Sequence, residues 1–477
     1  MKWIFAVTTG AVLALSSADT IGLHGSGTTN PSKCLWMLAS QLMDRTKVPT
    51  HVTYRAVGSS TGQKEFLGVN NTGVNAYVPH NDFGAGDIPI STSSYNAFTD
   101  NGGEMVHLPF VLGAISIFHN IPNIESGPQG LNLTACNLAK IFKREITVWD
   151  DDEILENNPN LQDALPYDDF PITVSRRVHG SSSTSSVTKY LGVACPAEWP
   201  QSLVGKTIDW PADTEKCEGS GGMTSCLKEI DGAIGYIDSG HGHSQNLKEI
   251  ELQNLDGNYL SSKEAAAFGG IGAAAGDVPS SADMDFGSVD LLNKPGPYTW
   301  PIVAMSYVYV RKDLSFMEPE SQTLLIAFLK TLYEPKAIEQ CGQFGFVKAP
   351  TNVRRVALSG IDMLQADGPT WTVEEDTAPG AGQGDFVISH KRRSYGEYAL
   401  SSTVGDIADV MAKITELEAA MAEAGTSSSI AKSTSDARQY TEGDAARLNA
   451  ALGLGAISFV LWAITIIYIL FRKVCGA

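Results

Sequence analysis

Three stretches of this chain share one layout: a short apolar strand, a glycine, a Ser/Thr cluster, then the start of a helical pattern. The first is Thr20-Ile-Gly-Leu-His-Gly-Ser-Gly-Thr-Thr-Asn-Pro31, running into Cys34-Leu-Trp-Met. The second is Tyr54-Arg-Ala-Val-Gly-Ser-Ser-Thr-Gly62, running into Lys64-Glu-Phe-Leu. The third is Arg176-Arg-Val-His-Gly-Ser-Ser-Ser-Thr-Ser-Ser-Val-Thr-Lys-Tyr-Leu191. A helix start leaves backbone N–H groups unpaired and carries the positive end of the helix dipole. Hydroxyls there either cap the helix or donate outward, and such an end suits an oxyanion. One such layout is ordinary capping. Three in one chain, one of them behind two arginines, point to an anion site.

The rest of the chain fits an α/β fold. Short apolar strands are expected at 20–24, 52–56, 106–110, 113–119, 172–176, 234–237 and 306–310, and helices at 31–45, 62–68, 133–142, 185–191 and 318–332. The globular part runs over about 19–368 and is long enough for two lobes. Lys plus Arg is 34 against 53 for Asp plus Glu, a net charge of −19. That balance argues against nucleic acid as a partner. Any bound anion must therefore be held by local dipoles and a few placed cations.

Both ends carry targeting patterns. Residues 1–18 read as a signal peptide: Lys2, an apolar run, then Ser16 and Ala18 at a cleavage site. Residues 452–471 are free of charge and long enough to span a bilayer, and Arg472 and Lys473 follow at once. The implied topology is single-pass type I in the cell membrane, with an extracellular ectodomain and a cytoplasmic tail at 472–477. Residues 369–451 read as a linker and helical stalk, with Val404, Ile407, Met411, Ile414, Leu417 and Met421 at helical spacing. Six cysteines fall in the ectodomain, which permits three disulfides, and only Cys217 and Cys226 are close in sequence. Asn70-Asn71-Thr72 and Asn132-Leu133-Thr134 are glycosylation sequons.

A fourth element sharpens the ligand chemistry. In Asn81-Asp-Phe-Gly-Ala-Gly-Asp-Ile-Pro-Ile-Ser91 a small-residue strand ends at Asp87. A carboxylate repels an anion unless the anion carries a proton to donate. Phosphate carries one near neutral pH and sulfate does not, so an acceptor here selects between them.

The motifs GSGTTNP, AVGSSTG, DFGAGDIPIS, HLPFVLGAISI, IFKREITVWDD, ITVSRRVHGSSSTS, GAIGYI and WPIVAMSYVYV occur in this order. Together they resemble the phosphate-specific substrate-binding proteins of bacterial ABC transporters, and they are similar to the DING-type phosphate binders. The resemblance covers about 20–310 and weakens toward 364. It implies a type II periplasmic-binding-protein fold whose two α/β lobes, 19–110 with 295–368 and 111–294, close on one dehydrated phosphate. It also implies the ligands. Thr29 and the N–H of Asn30 bind from the first lobe, Ser59 donates its hydroxyl, Asp87 accepts the phosphate proton and Arg177 supplies charge. Ser181, Ser182 and Ser183 close the cradle from the second lobe. The chain departs from the family in having Asn30 for an aromatic, Ser182 for a glycine, and His179 for an aspartate beside the arginine. The last departure is expected to make binding more pH-dependent.

The expectation is thus a membrane-anchored extracellular binding protein for inorganic phosphate, acting in capture, uptake or sensing with a transporter or signalling partner. No catalytic residue, cofactor or metal is expected. Two rivals stand beside it: a phosphohydrolase using the same cradle, and an adhesion or interaction protein that has lost the ligand. Gly180-Ser-Ser-Ser-Thr lacks the GxSxG pattern of a nucleophile elbow. Gly240-His-Gly-His243 reads as a surface turn, and Asp150-Asp-Asp-Glu153 as a helix start.

Overall fold

The computed structural model describes residues 20–68, 81–127, 130–276, 278–374 and 383–399. The signal segment at 1–18, the sequon at 70–72, the amphipathic pattern at 404–421 and the apolar run at 452–471 lie outside the described residues. Among the described residues no helix is long and apolar enough to cross a membrane.

The elements that position the site begin with β1 (Ile21–Gly27), α1 (Ser32–Arg45), β2 (Thr50–Ala56), α2 (Ser59–Leu67) and β3 (Phe83–Gly86). The long strand β4 (Met105–His119) follows. Next come β5 (Thr173–Arg177), α3 (Ser182–Ala194), β6 (Glu215–Cys217), α4 (Gly219–Glu229) and β7 (Ala233–Asp238), and later β8 (Val303–Arg311). They form one sheet in the order β2-β1-β3-β8-β4-β7-β5-β6. The pairs β1/β2, β1/β3, β5/β7 and β5/β6 are parallel, as strands joined by helical crossovers must be.

Every residue of β4 is buried, so its sequence is mostly apolar without regular polar alternation, and its polar residues His107, Ser116 and His119 are buried too. Its first part pairs with β8, from Met105 to Ala114, and its last part with β7, from Ile115 to His119. One strand therefore runs through both α/β lobes. The sequence reading expected two strands here, 106–110 and 113–119. The structure absorbs Pro109 at a bulge, where the β8 register shifts between Ser306 and Tyr307, and the strand continues. The lobe boundary expected at 110/111 thus falls inside one strand.

Helix starts differ from expectation in a consistent way. Those placed at 62 and 185 begin at Ser59 and Ser182. In both, hydroxyl residues form the first helical turn: Ser181 caps α3 by accepting from the Thr184 N–H, whereas α2 starts after Gly58 without a side-chain cap, which leaves the Ser59 hydroxyl to the Asp87 N–H. The His241/His243 stretch is likewise a short helix, Ser239–Ser244, capped by Asp238 accepting from the His241 N–H at 2.9 Å.

Three disulfides join Cys34 to Cys341, Cys136 to Cys195, and Cys217 to Cys226. The first closes 307 residues of chain, so it restrains the unfolded state most. The chain does not leave the body at 369. Thr372–Val373 pairs in parallel with Val387–Ile388, the Lys47 N–H donates to Val387 O at 3.2 Å, and the Ser389 N–H donates to Arg45 O at 2.9 Å. Val387 and Ile388 are buried, and that loss of water from two aliphatic side chains holds the segment against the end of α1.

Candidate functional site

The site starts where β1 turns into α1. Gly27 has φ 151°, and a Cβ there would stand 2.0 Å from Ala85 O. Only glycine lets β1 press this closely on β3. The approach places Thr28 beside Asp87, with the Thr28 N–H on Ala85 O at 3.0 Å and the Tyr54 hydroxyl on Thr28 O at 2.7 Å.

Asp87 is the centre. Its N–H donates to Ser59 Oγ at 3.3 Å. Its Oδ1 accepts from Ser306 at 2.7 Å, and its Oδ2 accepts from Ser182 at 2.9 Å and from Thr28. Ser182 belongs to the second lobe, so this hydrogen bond crosses the cleft. Burial pushes the Asp87 carboxyl above its ordinary range, against the pull of the Thr28, Ser306 and Ser182 hydroxyls and of Arg177. A carboxylate offers about four lone-pair positions, so the three hydroxyls leave one acceptor direction.

Arg177 ends β5 and is 8% exposed. Its Nε is buried and has no hydrogen-bond partner among the described residues. Burial lowers its pKa, and the nearby Tyr236 and Asp87 oppose that shift. Tyr236 is held by Thr184 of α3 at 2.7 Å and accepts the Arg177 N–H at 3.5 Å. A desolvated guanidinium with an idle donor costs stability unless an anion meets it. Ser60 Oγ, at the start of α2, is likewise buried and unpartnered among the described residues.

The second-lobe cradle is the start of α3. Ser181 caps the helix by accepting from the Thr184 N–H at 3.4 Å, and Ser182 and Ser183 are buried in its first turn. Gly180 lies where a Cβ would come 2.6 Å from Ser60 Oγ, so the lobes touch here too. Ser182, standing where the related family has glycine, sits in ordinary helical backbone, and its hydroxyl serves Asp87.

The sequence-predicted residues fall in two groups. Hydrogen bonds join Ser59, Asp87 and Ser182 directly, and Arg177 acts on Asp87 through its charge. Thr29 turns instead to Ser220 of α4, with Oγ atoms 3.2 Å apart, and the Asn30 N–H reaches Thr28 Oγ1 at 3.3 Å. Ser181 and Ser183 line the helix start without touching Asp87. His179 does not serve Arg177: its side chain is 75% exposed and lies 4.0 Å from Glu218. At that exposure water screens its charge, which removes the basis for the expected pH effect. The sequence reading missed Thr28 and Ser306. The signal for Ser306 was faint: it is the one aliphatic hydroxyl on the buried strand β8, and its role depends on β3 lying beside it.

Other candidates are committed elsewhere. The His241 Nε2 is 3.1 Å from Thr224 Oγ1, and the His243 Nε2 is 2.8 Å from Glu249. No group of three or more metal-ligating side chains occurs among the described residues. Asn132 of the second sequon donates from Nδ2 to Asn157 O at 3.4 Å, and Thr134 caps the next helix.

The chain is 27% identical over 358 residues to the phosphate-binding protein PstS of Methanocaldococcus jannaschii, covering 73% of this chain and 87% of that protein. It is 29% identical over 303 residues to the phosphate-binding protein PstS of Xylella fastidiosa, covering 63% and 75%. Among solved structures, a human phosphate binding apolipoprotein superposes with a TM-score of 0.54 at 17% identity, covering 73% of this chain and 100% of that one, a likeness of fold. A family profile described as a PBP superfamily domain matches residues 14–330, more than half of the chain. The chain belongs to the PBP superfamily.

Proposed function

We propose that this protein is an extracellular receptor for inorganic phosphate, which it grips between lobes 19–110 with 295–368 and 111–294. The observation that carries the reading is the pairing of a buried acceptor, Asp87, with a buried guanidinium, Arg177, whose Nε is idle. An anion that is charged and still protonated satisfies both groups at once. In this reading Thr29, the Asn30 N–H, Ser59, Ser181, Ser182 and Ser183 supply the remaining donors, and Asp87 takes the ligand's proton. The helix starts at Ser59 and Ser182 add their dipoles. The printed names of the PstS relatives support the same ligand.

Residues 452–471 anchor the receptor after removal of 1–18, leaving 472–477 inside the cell. Three disulfides support an oxidising exterior. The protein binds and releases its ligand without chemistry and passes it to a transporter or reports its level. Equilibrium dialysis of the purified full-length chain against labelled phosphate tests the reading. One phosphate per chain is expected, and no retained label removes it. Alkaline extraction of cell membranes tests the anchor: protein released with the peripheral fraction contradicts it.

A further inference from the structure

A contact beside the cradle joins the lobes through two side chains that are not proposed phosphate ligands. Lys206 lies in the loop between α3 and β6, and this loop is fastened to α3. The Ser181 N–H donates to Lys206 O at 3.0 Å, the Gly205 N–H donates to Thr188 Oγ1 at 3.1 Å, and that hydroxyl lies 3.2 Å from Gly205 O. From this fixed base the Lys206 ammonium crosses the cleft and donates to Gln63 Oε1.

Gln63 is one turn beyond Ser59 on α2 and is buried. Its amide nitrogen shares its two protons among Ile88 O and Pro89 O, at 3.1 Å each, and the Tyr309 hydroxyl at 3.0 Å. Tyr309 gives its own proton to Ile88 O, so it accepts from Gln63. First-lobe acceptors therefore fix the amide nitrogen inward and turn Oε1 outward, toward the second lobe. Burial, and then the neighbouring Lys64, hold the Lys206 ammonium below its ordinary pKa.

We propose that Lys206 and Gln63 form the closing latch of this receptor, a positioning pair that sets how long the ligand stays without touching it. The inference rests on the phosphate reading. Opening the lobes returns both groups to water, so the latch acts after encounter. Its loss shows in dissociation, whereas loss of a ligand group weakens binding itself. A charged hydrogen bond at a half-buried site corresponds to about a tenfold change.

The test is stopped-flow phosphate binding on the full-length chain, with Lys206→Met, Gln63→Met, the double variant and Lys206→Arg. Expected are dissociation rates about tenfold faster in each Met variant and no faster in the double. Association should change less than threefold, and Lys206→Arg should return toward the parent rate. A Lys206→Met rate equal to the parent's, or a double variant showing the product of the single effects, overturns the latch while the phosphate reading stands. A parent chain that binds no phosphate overturns both.

Discussion

Replacing Asp87 by Asn tests the chemistry of selection. In the native site the carboxylate accepts from Thr28, Ser182 and Ser306 and keeps one acceptor direction for the ligand. A protonated phosphate oxygen gains a charge-assisted hydrogen bond there, worth about 1.5–3 kcal/mol. Sulfate has no proton to give and meets bare repulsion. Two unit charges about 4 Å apart repel by about 4 kcal/mol at an effective dielectric near 20. The amide removes both terms: phosphate loses the charged acceptor and sulfate loses the repulsion. The two terms together set an upper bound of about 5.5–7 kcal/mol, which solvent and the dianion's own repulsion reduce, so the phosphate-to-sulfate affinity ratio should fall by at least about 100-fold, about 2.7 kcal/mol. Displacement of labelled phosphate by unlabelled phosphate and by sulfate, at pH 7, measures the ratio in parent and variant. A ratio that stays within threefold of the parent's would refute the assignment of Asp87 as the proton acceptor, whatever happens to absolute affinity.

Other outcomes follow from the same geometry. Arg177→Met should weaken phosphate binding by on the order of 100-fold, while the thermal midpoint of the ligand-free chain holds or rises, since a buried charge with an idle donor is removed; a large drop in that midpoint would make Arg177 structural. Burial, helped by Asp87, lifts the Asp238 carboxyl to about 7. Its folded pKa is raised, so its contribution is fully present below the unfolded value near 4 and is lost as pH rises through 7. Asp238→Asn, which keeps an acceptor for the His241 N–H, should therefore stabilise by at most about 4 kcal/mol at pH 8 and little at pH 4; equal shifts in denaturant midpoint at both pH values would contradict this. Gly27→Ala should lose more than about 2 kcal/mol and bind phosphate poorly, because its Cβ meets Ala85 O at 2.0 Å; a parent-like denaturation curve would show that β1 can move.

Local features of this chain were legible and long-range pairings were not. The hydroxyl clusters announced helix starts because the signal is local to a few residues, although Ser59 and Ser182 lie inside those helices rather than ahead of them and only α3 carries a side-chain cap. Asp87 stood out as a carboxylate ending a strand of small residues. Thr28 and Ser306 did not, because their role depends on β1 and β8 flanking β3, which is a matter of sheet order. The continuity of 106–110 with 113–119 was hidden for a related reason: the bulge that accommodates Pro109 is defined only by the partner strand. Of the disulfides only Cys217–Cys226 is sequence-local, while Cys34–Cys341 needs the whole first lobe to bring its ends together. His179 seemed functional by its place beside Arg177, and its exposure shows that adjacency in sequence did not mean contact.

Isothermal titration of the full-length chain with phosphate and then with sulfate, at pH 7, probes the central claim most directly. The account predicts one saturable phosphate site and no measurable heat from sulfate at the same concentrations. Equal binding of the two anions, or heat from neither, would contradict it.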